Sequence, residues 1–235
     1  MITSGQQAAI AALRVELAEL HQLLVEHGLV SWSDGNVSAR IPGAELMLIK
    51  PSGLRYPELT PESMVLTDLF GEVVDGDHAP SSDTHAHAYV YRHRSDVGGV
   101  VHTHSTYACA FAARSSAIPC LLTMTADEFG GDIPLGPFAR IGSDAIGRGI
   151  VDTLAGSRST AVIMDRHGPF TIGPSARAAV KSAVLLEQIA HATHAVLQAG
   201  PAPAPLDPED VNALFDRYHN VYGQRGPSAP PTPTS

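Results

Sequence analysis

Apolar residues spaced three and four positions apart predict two long amphipathic helices. Between residues 5 and 27, leucines recur at positions 13, 17, 20 and 24, on one face of a helix. Ser4 and Gln7 have the spacing of a capping box, and Gly28 supplies a stop. The strongest helical pattern in the chain runs from Ser175 to about Ala199. We expect the first of these helices to be scaffold.

Shorter apolar segments between the two helices predict strands. Residues 37–41 alternate apolar with polar, residues 46–49 are almost continuously apolar, and the segment 97–105, VGGVVHTHS, is rich in β-branched residues. Further strands are predicted at 118–123 and 160–164, and further helices at 84–94, 106–114, 143–155 and 207–218. With 235 residues, 44% of them hydrophobic, the chain can form one domain with a core, assigned to 1–225. The Pro-rich segment 226–235 is disordered by composition.

Charge and composition exclude several classes of partner. The net charge is −9 with only 15 Lys and Arg, so we expect neither nucleic acid nor a membrane surface as a partner. Any anion site must therefore be local. The chain shows no signal-peptide pattern and no apolar run long enough to span a bilayer, so we expect a cytoplasmic protein. In that compartment Cys109 and Cys120 are expected to be buried thiols.

Two histidines follow the buried strand at a spacing of two. Successive side chains of a strand point to opposite faces, so His102 and His104 share one face. Such a pair is half of a metal site, although two polar residues at a strand end can equally well contact only solvent. His167, at the end of the strand 160–164, is the natural third imidazole. Three histidines leave a coordination position open, which is typical of a catalytic metal site.

Two aspartates each allow two interpretations. Asp83, or its neighbour Ser82, can cap the helix that begins at 84, or Asp83 can face the histidine pair as a metal ligand or base. Asp127 lies in a segment, 125–131, that ends in two glycines and is interpreted as a loop. There it is either solvated or presented to the site. Three nearby histidines are not expected to belong to the metal site: His85, His87 and His93. Residues 85 and 87 lie two apart on a helix and therefore face different ways.

Polar turns next to the two early strands are suited to binding an anion. The sequence Lys50-Pro-Ser-Gly53 ends one strand, and the segment 31–38 leads into the other. Free backbone N–H groups and glycines allow a phosphate to approach the main chain closely, and Lys50 adds a positive charge. Each turn taken alone is also an ordinary hairpin turn.

Seven short motifs stand in order along the chain. They are Gly35-Asn-Val-Ser38, Ile49-Lys-Pro-Ser-Gly53, Pro80-Ser-Ser-Asp-Thr84, Gly98-Gly-Val-Val-His-Thr-His104, Ala126-Asp127, His167-Gly-Pro-Phe170 and Tyr222-Gly-Gln224. Several motifs in order are far more specific than any one of them. Together they resemble the motifs of the class II aldolase/adducin family, and within that family the chain is most similar to the L-ribulose-5-phosphate 4-epimerases.

The resemblance implies a three-layer α/β/α sandwich with a mostly antiparallel central sheet. It also implies a homotetramer with sites between neighbouring subunits, acting on a small sugar phosphate. It assigns a divalent cation, Zn²⁺ or another such as Mn²⁺, to His102, His104 and His167, with Asp83 at the metal. It places the phosphate of the substrate among six residues, which are Asn36, Lys50, Ser52, Gly53, Ser81 and Ser82.

The chemistry implied by the resemblance is retro-aldol cleavage, in which the metal acts as a Lewis acid for the enediolate. An aldolase then releases the aldehyde. An epimerase turns the aldehyde over and re-forms the bond, which requires proton-transfer groups on both faces. Asp127 and Tyr222 match the family's pair for this role, and Tyr222 would reach the neighbouring subunit's site. Thr123 stands where the fuculose-phosphate aldolases carry a tyrosine.

Three functions remain open. The first is the epimerase that converts L-ribulose 5-phosphate to D-xylulose 5-phosphate, favoured by Asp83, Thr123, Asp127 and Tyr222 together. The second is a class II aldolase similar to L-fuculose-1-phosphate aldolase, favoured by the compact segment 133–142. The third is a scaffold like the adducin head domains, against which the three histidines argue. The segment 32–34, Trp-Ser-Asp, and the match at His219 depart from the family pattern.

Overall fold

The computed structural model describes residues 2–201 and 203–221, so Tyr222 and the segment 226–235 lie outside the described residues. Eight strands form one sheet: β1 Asn36–Arg40, β2 Leu46–Ile49, β3 Val65–Asp68, β4 Val73–Asp75, β5 Gly99–His102, β6 Leu135–Gly136, β7 Ala161–Met164 and β8 Gly168–Gly173. The α-helices are α1 Ser4–Glu26, α2 Thr84–His93, α3 Thr106–Ala113, α4 Thr123–Phe129, α5 Ala145–Leu154, α6 Ala176–Ala199 and α7 Pro208–Asn220. In this part of the chain no helix has the length and apolar character needed to cross a membrane.

The strand order places β5 in the middle of the sheet. The order is β4-β3-β2-β1-β5-β8-β7-β6, and every pair is antiparallel except β6 with β7. In the register of β5, His102 lies opposite Asn36 of β1 on one side and Phe170 of β8 on the other. The end of β5 therefore lies between two neighbouring strands. The prediction of a mostly antiparallel sheet is confirmed.

Helices cover both faces of the sheet and complete three layers. Alternate residues of β5 enter different cores: Val101 packs with α1 and α6, and Val100 packs with α2 and α5. Helix α3 packs on the same side as α6, through Phe111 against Leu186 and its neighbours. This arrangement follows from the period of two along a strand buried on both faces. The predicted α/β/α sandwich is confirmed.

A close approach between β5 and α6 depends on glycine. A Cβ atom on Gly99 would lie 2.4 Å from the Cα atom of Ala176, the first residue of α6. A Cβ atom on Gly98 would lie 2.4 Å from the carbonyl oxygen of Pro174. The two glycines therefore let the start of α6 contact the central strand directly.

Two predicted elements differ from the structure. Residues 118–123 are not a strand, because only Ile118 forms a bridge, to Ile133. Pro119 follows at once and has no N–H to extend a ladder. Residues 125–131 are not a loop, because 123–129 form helix α4, which ends at Gly130 in the left-handed conformation with φ of 65°.

Smaller corrections concern helix caps and short strands. The capping box of α1 is made by Thr3 and Gln6, one residue before the predicted pair. Asp83 occupies the N-cap position of α2, yet its side chain makes no capping hydrogen bond. Four strands of the sheet are not among those predicted from the sequence: β3, β4, β6 and β8. Cys109 and Cys120 are free thiols.

Candidate metal and phosphate site

Three histidines converge where β5 meets the turn between β7 and β8. His102 ends β5, His104 follows two residues later, and His167 lies in the turn. The Nε2 atoms of His102 and His104 are 3.0 Å apart. One ring nitrogen from each of the three lies within 4.8 Å of the other two. Such a separation suits three ligands of a single metal ion, and the three residues are those predicted from the sequence.

The His102 ring is oriented by its surroundings. Its Nδ1 atom lies 3.0 Å from the carbonyl oxygen of Pro169, and the ring stacks on Phe170 at a centroid distance of 4.2 Å. Only Nδ1–H can donate to a carbonyl, so Nε2 keeps a free lone pair directed at His104. Burial lowers the pKa of His102, and that of His167, below the ordinary value of 6.5. Both rings are therefore neutral at pH 7, as metal ligation requires.

Asp83 is a buried carboxylate of which one oxygen accepts a hydrogen bond and the other does not. Its Oδ2 atom accepts a hydrogen bond of 2.8 Å from the Asn36 amide, whereas Oδ1 is buried without a partner among the described residues. Burial raises the pKa of the Asp83 carboxyl. The positive charge of nearby histidines when they are protonated and the hydrogen bond from the Asn36 amide lower it by more, so the net pKa is below its ordinary value. A buried unpaired carboxylate oxygen is costly, and a cation would satisfy it.

A cavity of about 160 Å³ joins the histidines to the predicted phosphate residues. All ten predicted metal and phosphate residues line it, and so do Ser33, Asp34, Gly35 and Ile141, which the sequence analysis did not assign. The two polar turns predicted to bind an anion, at 31–38 and 50–53, thus contribute residues to the same cavity as the imidazoles.

Lys50 is the one Lys or Arg among the described residues that line this cavity. It is buried, and its Nζ atom donates to the carbonyl oxygen of Ser33 at 2.8 Å. Burial lowers its pKa, which the Asp34 carboxylate partly offsets. Lys50 therefore ties the loop at 31–35 to the end of β2 and also brings a positive charge close to the phosphate residues.

Asp127 and Thr123 lie on α4 and do not line the cavity of their own chain. Thr123 is exposed, and Asp127 is partly buried, with its Oδ1 atom lacking a partner among the described residues. Next to Asp127, Glu128 accepts hydrogen bonds from Lys181 and Ser182 of α6 at 2.7 and 2.9 Å. Glu128 therefore ties α4 to α6, whereas neither Asp127 nor Thr123 lines the cavity that contains the three histidines. Tyr222 lies outside the described residues.

Comparisons with known proteins show the family of the chain. Residues 15–194 match the family model described as the class II aldolase and adducin N-terminal domain. The chain is 37% identical over 227 residues to the L-ribulose-5-phosphate 4-epimerase UlaF of Salmonella paratyphi B, covering 91% of this chain and 99% of that one. The UlaF protein of Salmonella choleraesuis matches with the same figures.

Solved structures show the same fold. An L-fuculose 1-phosphate aldolase superposes with a TM-score of 0.82 at 26% identity, covering 88% of this chain and 95% of that one. An aldolase II superfamily protein from Pseudomonas syringae superposes with a TM-score of 0.80 at 23% identity, covering 92% and 87%. Because the second structure is only 23% identical in sequence, its similarity to this chain concerns the fold alone.

Proposed function

The chain belongs to the class II aldolase and adducin family, and from this premise we propose that it is a metal-dependent sugar-phosphate 4-epimerase. Its substrate would be L-ribulose 5-phosphate and its product D-xylulose 5-phosphate. The observation that supports this most is the cavity in which three imidazoles and the anion-suited turns meet. The 37% identity to relatives named for that reaction supports the choice of substrate.

The metal ligands in this proposal are His102, His104 and His167, with the unpaired Oδ1 atom of Asp83 beside them. Neutral imidazoles and a carboxylate suit Zn²⁺, and Mn²⁺ is an alternative. When bound, such a cation supplies Lewis-acid stabilisation of the negative charge that develops as the carbon–carbon bond breaks.

The phosphate of the substrate would lie at the other end of the cavity. Ser52, Ser81 and Ser82 offer hydroxyl groups there, and the turn at Gly53, where φ is 72°, lets an anion approach the backbone. The Asn36 amide already donates to Asp83 and to the Ser81 hydroxyl, so Asn36 links the phosphate end to the metal end. Lys50 contributes charge while it holds the loop at 31–35.

Two further groups are needed to move protons on opposite faces of the aldehyde, and we assign them to Asp127 and Tyr222. Because Asp127 does not line the cavity of its own chain, the proposal includes a homotetramer in which neighbouring subunits complete each site. Thr123, one turn before Asp127 on α4, would face the same space.

A class II aldolase is the second candidate function. Two observations favour it: the superposition on an L-fuculose 1-phosphate aldolase and the short connection through β6. An aldolase needs the same metal and phosphate residues, but it releases the aldehyde, so Asp127 would matter much less to it.

Removal and return of the metal tests the proposal. We expect a chelator to abolish the conversion of L-ribulose 5-phosphate, and added Zn²⁺ or Mn²⁺ to restore it. His102→Ala should lose bound metal and turnover together, whereas the control His85→Ala, which alters an exposed histidine of α2, should lose neither. Full turnover by metal-free protein would contradict the proposal.

A further inference from the structure

A carboxylate that the sequence analysis did not assign lies behind one of the three histidines. The Oδ2 atom of Asp34 is 3.5 Å from Nδ1 of His104. The other oxygen, Oδ1, accepts a hydrogen bond of 2.6 Å from the backbone N–H of Ser31. One oxygen thus holds the loop, and the other faces the ring.

The loop that bears Asp34 is fixed on several sides. The Asp34 N–H donates back to the Ser31 carbonyl at 3.0 Å, and its own carbonyl accepts from the Tyr56 hydroxyl at 2.6 Å. Lys50 holds the preceding carbonyl, that of Ser33. Gly35 has a φ of 69°, and a Cβ atom there would lie 3.0 Å from the His102 carbonyl oxygen. The Asp34 carboxylate is therefore placed by the backbone and not by a flexible side chain alone.

His104 needs such a contact more than His102 does. His102 is enclosed and already oriented by the Pro169 carbonyl, whereas the side chain of His104 is 40% exposed. A carboxylate that accepts from Nδ1–H fixes the tautomer, turns Nε2 towards the site and makes that nitrogen a stronger metal ligand.

We propose that Asp34 is a positioning residue for the metal site, acting through the His104 ring. The inference rests on the proposed metal-dependent function. It extends that function to the segment 32–34, where the chain departs from the family pattern.

Metal affinity tests this inference without any assay of turnover. The variants are Asp34→Asn and Asp34→Ala. In Asp34→Asn, the amide oxygen can still accept from Ser31, but its NH₂ group then faces Nδ1 of His104. The matched control is Asp68→Ala, because Asp68 also caps backbone N–H groups, those of Phe70 and Glu72 at 2.8 and 2.9 Å, in the β3–β4 turn. The Zn²⁺ dissociation constant is measured by competition with a chromophoric chelator, and the visible spectrum is recorded with Co²⁺.

We expect both Asp34 variants to bind Zn²⁺ about 10- to 100-fold more weakly than the unaltered chain and to change the Co²⁺ spectrum. Asp68→Ala should change neither. If Asp34→Ala fails to fold, as judged by circular dichroism, Asp34→Asn remains the decisive variant. Unchanged affinity and spectrum in a folded Asp34→Asn variant would overturn this inference and leave the proposed function standing. Absence of Zn²⁺ binding by the unaltered chain would overturn both.

Discussion

His21 and His102 are both buried imidazoles, and their hydrogen bonds give them different roles. His21 uses both nitrogens within the fold, since Nδ1 donates to the Leu17 carbonyl at 2.6 Å and Nε2 accepts from the Val37 N–H at 3.0 Å. His102 donates through Nδ1 to a carbonyl and directs Nε2 at His104. His21 therefore joins α1 to β1, whereas His102 keeps a lone pair for a ligand.

The first prediction concerns the pH dependence of stability. Burial lowers the pKa of His21 from 6.5 to about 3. Below pH 6.5, the pKa of His21 in the unfolded chain, the unfolded chain binds a proton that the native state does not bind. The free energy of unfolding therefore falls as pH falls. Between pH 7 and pH 5 this residue should lower the free energy of unfolding by about 2 kcal/mol.

Urea unfolding at the two pH values measures this loss. His21→Gln keeps an oxygen that can accept from Val37 N–H but has no titrating group. We expect its loss of stability between pH 7 and pH 5 to be smaller by about 2 kcal/mol. An identical pH dependence in the variant and the unaltered chain would show that His21 is not the group responsible.

The second prediction concerns Asp127, whose assigned role separates the two enzymatic functions. Asp127→Asn removes a proton-transfer group and leaves the three histidines untouched, so Zn²⁺ affinity should not change. We expect epimerisation to slow by about 10²- to 10⁴-fold. Asp152→Asn, which alters an exposed aspartate of α5, serves as the control and should retain the full rate. Epimerisation at the normal rate by Asp127→Asn would show that Asp127 is not a proton-transfer group. An aldolase, in contrast, would cleave its substrate at nearly the same rate with and without the substitution.

Among the elements, the sequence predicts best those that are specified by local pattern. Leucine spacing predicts α1, a short apolar run predicts β2, and a serine cap marks the start of α6. The structure agrees with each predicted bound to within one or two residues. For the segment 118–129 the same reasoning gives a wrong prediction. Its apolar residues look like a strand, yet within the described part of the chain only Ile118 of this segment forms a bridge, and Asp127 lies on a helix. Tertiary packing overrides propensity there.

The third prediction concerns the contact between β5 and α6. Gly99→Ala places a methyl group 2.4 Å from the Ala176 backbone, where neither side can move cheaply. We expect it to lower the free energy of unfolding by about 3 kcal/mol. Gly5→Ala is the matched control, because a Cβ atom there meets nothing within 4 Å and a helix favours alanine over glycine by about 0.5–1 kcal/mol. Equal stability of the two variants by urea unfolding would contradict the close packing at Gly99.

At the scale of the whole molecule, one chain brings together the metal and phosphate residues but not Asp127. Strand periodicity and strand ends predict the histidines and the turns suited to an anion, and the family resemblance supplies the individual phosphate residues. The sequence does not reveal Asp34, because the contact with His104 exists only once the loop at 31–35 folds against β5. Nor does it show which residues meet across a boundary between chains, since that depends on assembly.

The fourth prediction tests shared sites. His102→Ala and Tyr222→Phe should each be nearly inactive, the first without metal and the second with it. Co-expressed, they should form mixed oligomers in which some sites combine an intact His102 with an intact Tyr222 from a neighbour. We expect these oligomers to be more active than the two variants purified separately and then mixed. No gain on co-expression would place the two residues in one chain's site.

The most direct test of the epimerase is a single assay that follows both products. Metal-loaded protein is given L-ribulose 5-phosphate, and D-xylulose 5-phosphate and free glycolaldehyde phosphate are measured in the same sample, with a chelated control. We predict D-xylulose 5-phosphate that disappears with the chelator, and no free aldehyde. Release of aldehyde, or cleavage of a deoxyhexulose 1-phosphate without turnover of this pentose, would contradict the account and identify an aldolase.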